Sequence, residues 1–328
     1  MTLQRRRFVQ LAASAATLPA LPRFALGQSF PSRPITIVTA GPAGGPTDAI
    51  GRIMADRMRA TLGQSVLVEN QPSSGGIALG RVGRAAPDGY TIGLGHWGTH
   101  VVDGAVLTLP FDPLNDFEPV ALLTFNPLLI LSRKGLPAKD LSELVAWMKA
   151  NPDKATLASP GPGSPPHVAG LFFQKLTNTR LQFVPYRGAA PAMNDLIAGH
   201  IDLNIPQAAV AIPQVKAGTV RAYAVTAKVR LPSAPDIPSA DEAGVPGLHI
   251  SVWHGLWCPK GTPGETVARL NAAAMDALAD PAVRQRLADL GQDIAPREQQ
   301  TSQALGAYQR AEINKWWPVI KAANIKVE

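Results

Sequence analysis

The sequence predicts an α/β chain of two lobes, with parallel-rich sheets flanked by helices and two strands crossing between the lobes. Three observations predict this. Short β-branched runs alternate with helical ones along the chain, the pattern of strand–helix units. Two Gly- and Pro-rich loops, 41–48 and 159–167, each follow a short apolar strand and run into a helix-like stretch. Two long apolar runs, 120–132 and 250–259, carry no helix caps and suit crossover segments. They make the middle of the chain one lobe and its two ends the other.

Taken in order, residues 1–27 read as an export leader outside the fold. Gln4-Arg5-Arg6-Arg7-Phe8 carries paired arginines of the twin-arginine type, an Ala/Leu run follows to Leu21, and Ala25-Leu26-Gly27 offers small residues to a signal peptidase. The apolar run is too short to span a bilayer. Strand 35–39 leads into a helix with Ile50, Ile53, Met54 and Met58 on one face. Strands at 66–69 and 91–95 flank the turn Pro87-Asp88-Gly89. Asp140-Leu141-Ser142-Glu143 has the form of a capping box, and Asn151-Pro152 ends its helix. Val168, Leu171, Phe172 and Leu176 form a helical stripe, 183–186 a strand, 191–198 a helix stopped at Gly199, and 201–205 an alternating strand. From Thr262 the chain is helical, with a restart at Asp280-Pro281, a stop at Gly291, and Trp316 and Trp317 as packing anchors of the last helix.

Composition narrows the function. At 328 residues the chain can build two cores, and 46% hydrophobic with 17% charged residues is globular. Without the leader, 27 basic face 24 acidic residues, so the formal charge falls from +7 to +3. No cluster of Lys/Arg with interleaved aromatics remains, so nucleic acid is not an expected partner. A mildly positive chain favours an anionic ligand. The single cysteine, Cys258, lies in an apolar run and reads as a buried, inert thiol.

The two loops point to binding rather than chemistry. A Gly/Ser/Thr loop entering a helix turns backbone N–H groups towards the positive end of the helix dipole, which suits a carboxylate. In the first loop Gly44 and Gly45 permit close approach, Pro46 suits the first turn, and Thr47 is a donor. Asp48 either caps the helix or receives a hydroxyl or cation from the ligand. The second loop offers Ser159, Gly163 and Ser164, with His167 one turn on. A serine-nucleophile elbow is absent, because Pro162 and Pro166 stand where its glycines belong. Gly93-Leu94-Gly95-His96-Trp97-Gly98 matches the dinucleotide glycine pattern but lacks the long helix that must follow. It reads better as a third lip of the cleft, with Trp97 as a wall and Thr99 as a donor. His96 and His100 have metal-ligand spacing but no third ligand beyond a loosely placed Asp103. Asp202 either enters the cleft or lies on the polar face of its strand.

Many strings in fixed order carry a resemblance that runs through the chain after the leader. They include Pro31-Ser32-Arg33-Pro34-Ile35-Thr36, Ala86-Pro87-Asp88-Gly89-Tyr90-Thr91, Asp116-Phe117-Glu118-Pro119-Val120, Val184-Pro185-Tyr186-Arg187-Gly188-Ala189 and Pro259-Lys260-Gly261-Thr262-Pro263. The chain resembles the substrate-binding proteins of tripartite tricarboxylate transporters, also called the Bordetella uptake gene family. The resemblance implies a two-lobed, type II-like periplasmic binding fold, with lobe one from 28–125 and 250–328 and lobe two from 126–249. It implies a monomer, exported to the periplasm, that closes on a small di- or tricarboxylate or aromatic acid and serves a membrane transporter, with no cofactor, metal or catalytic step. The ligand would meet Ala43, Gly44, Gly45, Thr47 and Asp48 from one loop, and Ser159, Gly163, Ser164 and His167 from the other. His96 and Trp97 would read its far end, and Thr99, Tyr186 and Asp202 complete the expected ligand contacts. Pro165-Pro166 departs from the family's Ser/Thr-rich second turn and removes backbone donors. Rival readings are a ligand-sensing subunit of a membrane signalling system, and an exported hydrolase or isomerase using His167 with Ser164 or Asp202.

Overall fold

β-branched runs become strands and each Gly-rich turn feeds a helix, giving two mixed sheets. The computed structural model describes residues 30–40, 43–71 and 75–324. The expected leader, and Gly41 and Pro42 of the first loop, lie outside the described residues. The first sheet contains β1 (Ile35–Ala40), β2 (Val66–Gln71), β3 (Thr91–His96), β4 (Phe117–Pro127), β10 (Ser251–Pro259) and β11 (Asp293–Ile294), in the order β11-β4-β10-β3-β1-β2. The second contains β5 (Leu129–Ser132), β6 (Thr156–Ser159), β7 (Gln182–Pro185), β8 (Leu203–Asn204) and β9 (Arg221–Val225), in the order β7-β6-β8-β5-β9.

Each sheet is parallel on one side only. β1 runs parallel to β2 and β3, and β6 parallel to β7 and β8. β10 is antiparallel to β3 and β4, and β5 is antiparallel to β8 and β9. The expected α/β architecture of sheets flanked by helices is the one observed, and the crossovers make both sheets mixed. The chain leaves the first sheet along β4 and comes back to it along β10, so the two neighbours must point in opposite directions. Thr226 ties both passages together: its hydroxyl accepts from the Leu128 N–H at 2.9 Å and donates to the Ile250 carbonyl at 2.7 Å.

The helices form where the apolar spacing and caps place them. α1 (Pro46–Leu62) starts on Pro46 and ends at Gly63 in the left-handed conformation, φ 68°. α2 (Gly75–Gly83) follows β2, and a π-helical turn at Gly98–Val102 runs into the short α3 (Asp103–Val106). α4 (Leu141–Ala150) is capped by Asp140, whose carboxylate accepts from the Glu143 N–H, while Glu143 reaches back to the Lys139 N–H. α5 (Pro165–Thr177), α6 (Ala189–Ala198) and α7 (Ala208–Lys216) flank the second sheet. α8 (Gly264–Ala279) packs against α1 and β4, and Asp280 caps α9 (Pro281–Asp289). The alternating run 201–205 yields only the two-residue β8, because the Asp202 N–H bonds the Thr156 hydroxyl.

α10 (Ser302–Ala322) seals the other face of the first sheet. Trp316 on this helix is fully buried and meets Trp97 and Phe172 edge-on, with ring centroids 5.6 and 5.0 Å apart. Trp317 donates from its indole N–H to the Val101 carbonyl at 2.8 Å. Cys258 is buried, and burial pushes its thiol up to about 12, so it is an inert core group. Among the described residues, no helix is long and apolar enough to cross a membrane.

Candidate ligand site at the strand ends

The parallel strands β1 and β3 end at the first loop and at His96. α1 crosses the sheet so that a Cβ on Gly51 would meet Leu94 and Thr39 at 3.2 and 3.3 Å. Five residues towards the helix start is about 7.5 Å of rise, and two residues along β3 from Leu94 is about 6.7 Å. The first turn of α1 therefore stands over the end of β3, where His96 emerges on the same face as Leu94.

Asp48 sets the shape of this loop. It is buried, and its Oδ2 accepts from the Gly44 N–H at 2.8 Å and from Arg52 Nε at 3.0 Å. Burial opposes ionisation, but the hydrogen bonds from Arg52, Gly44 and Asn70 outweigh it and hold the carboxyl below its usual range. The helix shows no side-chain cap, so this carboxylate ties the loop to the first turn instead, and its Oδ1 has no hydrogen-bond partner among the described residues. Gly44 takes φ 81°, which glycine adopts without strain, and Ala43 and Gly44 are exposed. Gly45 is the N-cap and makes no side-chain cap, and Thr47 is half-buried in the first turn.

The second loop lies at the end of β6. Gly161 and Gly163 take φ 141° and 74°, and the Ser164 hydroxyl donates to the Gly161 carbonyl at 2.7 Å. Ser159 reaches the same carbonyl at 3.4 Å. The Gly163 N–H donates to His167 Nδ1 at 3.1 Å, leaving the ring proton on Nε2, and burial lowers the basicity of this histidine. Tyr186 follows β7 beside Ser159, with its N–H on the Ser159 carbonyl at 2.8 Å and its hydroxyl on Asp195 at 2.8 Å.

Three predicted contacts are corrected. Trp97 is no wall of a cleft: it is fully buried against Trp316 because its π-helical turn directs the indole into the core. Thr99 is buried, and its hydroxyl bonds the His96 carbonyl and faces His100 Nδ1, each at 3.0 Å, so it closes its own turn. Asp202 binds Arg133 Nε at 2.9 Å and the N–H and hydroxyl of Thr156 at 3.1 and 3.0 Å. Thr156 begins β6, so Asp202 stands at the opposite strand end from the Gly-rich loop.

A polar row behind His96 is absent from the sequence reading. His254 on β10 pairs across from His96, and their ring centroids are 5.9 Å apart. Thr124 on β4 pairs with His254 on its other side, with its hydroxyl 3.4 Å from His254 Nδ1 and donating to Gln292 Oε1 at 3.0 Å. Asn126 lies two residues along the same face of β4, buried, with its side-chain oxygen unpartnered. Alternating polar residues within the run 120–132 were the one available signal. Burial pushes His96 down to about 4 and His254 to about 3, so both rings are neutral at pH 7. The second sheet closes in from the side: a Cβ on Gly291, next to Gln292, would lie 2.7 Å from the Ala209 Cα at the start of α7. Among the described residues, no group of three His, Cys, Asp or Glu could hold a metal.

The profile of the TctC family, described as the tripartite tricarboxylate transporter family receptor, matches residues 50–325. A UPF0065 protein of the TAR-I ttuE-ttuC' intergenic region of Agrobacterium vitis is 39% identical over 318 residues, 97% of this chain and 91% of the relative. The structure of MatC from Rhodopseudomonas palustris with bound malate is 40% identical with a TM-score of 0.74, covering 89% of this chain and 100% of MatC. Rpa4515 of R. palustris, solved with adipate, is 32% identical with a TM-score of 0.76, covering 90% of this chain and 99% of that one.

Proposed function

The chain belongs to the tripartite tricarboxylate transporter receptor family, and from that premise we propose that it captures a small organic carboxylate between two lobes and delivers it to a membrane transporter. It has the fold of the periplasmic binding proteins and is a binding protein, not an enzyme. The observation that carries the carboxylate reading is the first turn of α1 over the end of β3. Asp48 draws the Gly44 N–H to itself and so orders the loop, leaving the first-turn amides of α1 at the positive end of a 17-residue helix. Each charge-assisted hydrogen bond to a carboxylate contributes about 1.5–3 kcal/mol. The malate and adipate in the two R. palustris proteins support the same ligand class here.

The second loop, with Ser159, Gly163, Ser164 and His167, would complete the clamp from the other lobe. The lobes would be 28–125 with 250–328, and 126–249, hinged at the passages that Thr226 ties. Ligand contacts to both lobes favour the closed state over the open one. Isothermal titration of the leader-free protein with mono-, di- and tricarboxylates and aromatic acids tests this, with product analysis alongside. Saturable binding of one acid class without turnover is the expected result. No binding by any acid removes the reading.

A further inference from the structure

We propose, on the solute-binding reading above, that His96 and His254 form a hydroxyl-reading subsite, so that the protein selects organic acids bearing a hydroxyl over their deoxy counterparts. The hydrogen bonds around the two rings fix which nitrogen carries each proton. The Gly98 N–H donates to His96 Nδ1 at 3.0 Å, so the neutral ring holds its proton on Nε2 and offers a donor there. The Thr124 hydroxyl spends its proton on Gln292 Oε1, so its oxygen faces His254 Nδ1 as an acceptor. That places the His254 proton on Nδ1 and leaves Nε2 as an acceptor.

Neither Nε2 has a hydrogen-bond partner among the described residues, although His254 is only 3% exposed. Both differ from Nε2 of His100, which is sealed without a partner in the core against Trp257. The subsite thus presents one donor and one acceptor on neighbouring strands, beneath the first turn of α1. A hydroxyl group matches it, because one oxygen can accept from His96 and donate to His254. A carboxylate oxygen would satisfy His96 only and set its lone pairs against that of His254. A methylene would leave both nitrogens unpaired, and sites built to bond a hydroxyl reject the analogue lacking it strongly. No lysine or arginine bonds either ring among the described residues. The depressed basicity of both rings keeps this donor–acceptor pair intact at neutral pH.

The test is isothermal titration of the leader-free protein with matched acids: malate and succinate, lactate and propionate, mandelate and phenylacetate. In each pair that binds, the hydroxy acid is expected to bind at least tenfold more tightly. His254→Leu should bring the members of that pair to within about twofold, chiefly by weakening the hydroxy acid. Thr124→Val, which keeps the side-chain shape but removes the acceptor that holds the His254 proton on Nδ1, should reduce the preference in the same direction and serves if His254→Leu does not fold. Equal affinity for both members of a binding pair, or a preference unchanged in both variants, overturns the hydroxyl subsite while leaving the solute-binding reading intact. Failure of every acid to bind the unsubstituted protein removes that reading, and the subsite with it.

Discussion

The backbone N–H of Gly98 donates to Nδ1 of His96 at 3.0 Å, and this one bond decides which end of the imidazole is available to a ligand. It also makes Gly98 a sensitive position. A Cβ there would lie 2.8 Å from Cε1 of His96, closer than real contacts allow, so the ring must swing away. Gly98→Ala is therefore expected to weaken binding of the preferred acid by about tenfold, the loss of one good hydrogen bond. Titration calorimetry checks this, and an unchanged affinity would put His96 outside the site.

Ser164 acts on the shape of the second loop, since its hydroxyl holds the Gly161 carbonyl at 2.7 Å. Ser164→Ala should cost about 0.5–1.5 kcal/mol of stability and also weaken the ligand. Thr47→Ala, at a half-buried position in the first turn of α1, should weaken the ligand and leave the thermal transition of the free protein nearly unchanged. Melting curves with and without ligand separate the two effects. Full affinity in both variants would refute the two-loop clamp.

Asp202 serves the fold of the second sheet, through Arg133 and Thr156. Removing its carboxylate strips Arg133 of its ion-pair partner and leaves the Thr156 N–H without an acceptor. Asp202→Ala should destabilise the fold by about 1–3 kcal/mol and leave ligand affinity within twofold. A large affinity loss in a stably folded variant would return Asp202 to the cleft.

The buried histidines predict acid sensitivity. His254 is held at about 3 and His96 at about 4, against 6.5 for an exposed ring. As pH falls below 6.5 the unfolded chain takes up protons that the native rings refuse, so stability is lost progressively until the native values are reached. Each ring contributes up to about 1.4 kcal/mol per pH unit in that window. Asp103, raised by burial to about 6, works in the opposite direction, binding a proton more readily in the native state. The clean readout is therefore the difference between the unsubstituted protein and His254→Gln. The variant's melting temperature should fall less steeply between pH 7 and 5, and parallel slopes would refute the assignment.

Local chemistry made much of this protein legible from its sequence. Apolar spacing and caps at Asp140 and Asp280 act within a few residues, so α1, α4, α8 and α9 appear near where the pattern puts them. The two Gly-rich loops were equally visible, since positive φ at Gly44, Gly161 and Gly163 is a demand of the local backbone. Tertiary structure alone decided what faces what. A π-helical turn sent Trp97 into the core, and the pairing of β10 with β3 and β4 set His254 between His96 and Thr124 from positions more than a hundred residues away. The register of distant strands depends on which passage each crossover takes, and hydrophobic pattern within one run cannot fix it. The donor and acceptor ends of the two imidazoles follow from that register, because each ring's tautomer is set by a neighbour that folding supplies.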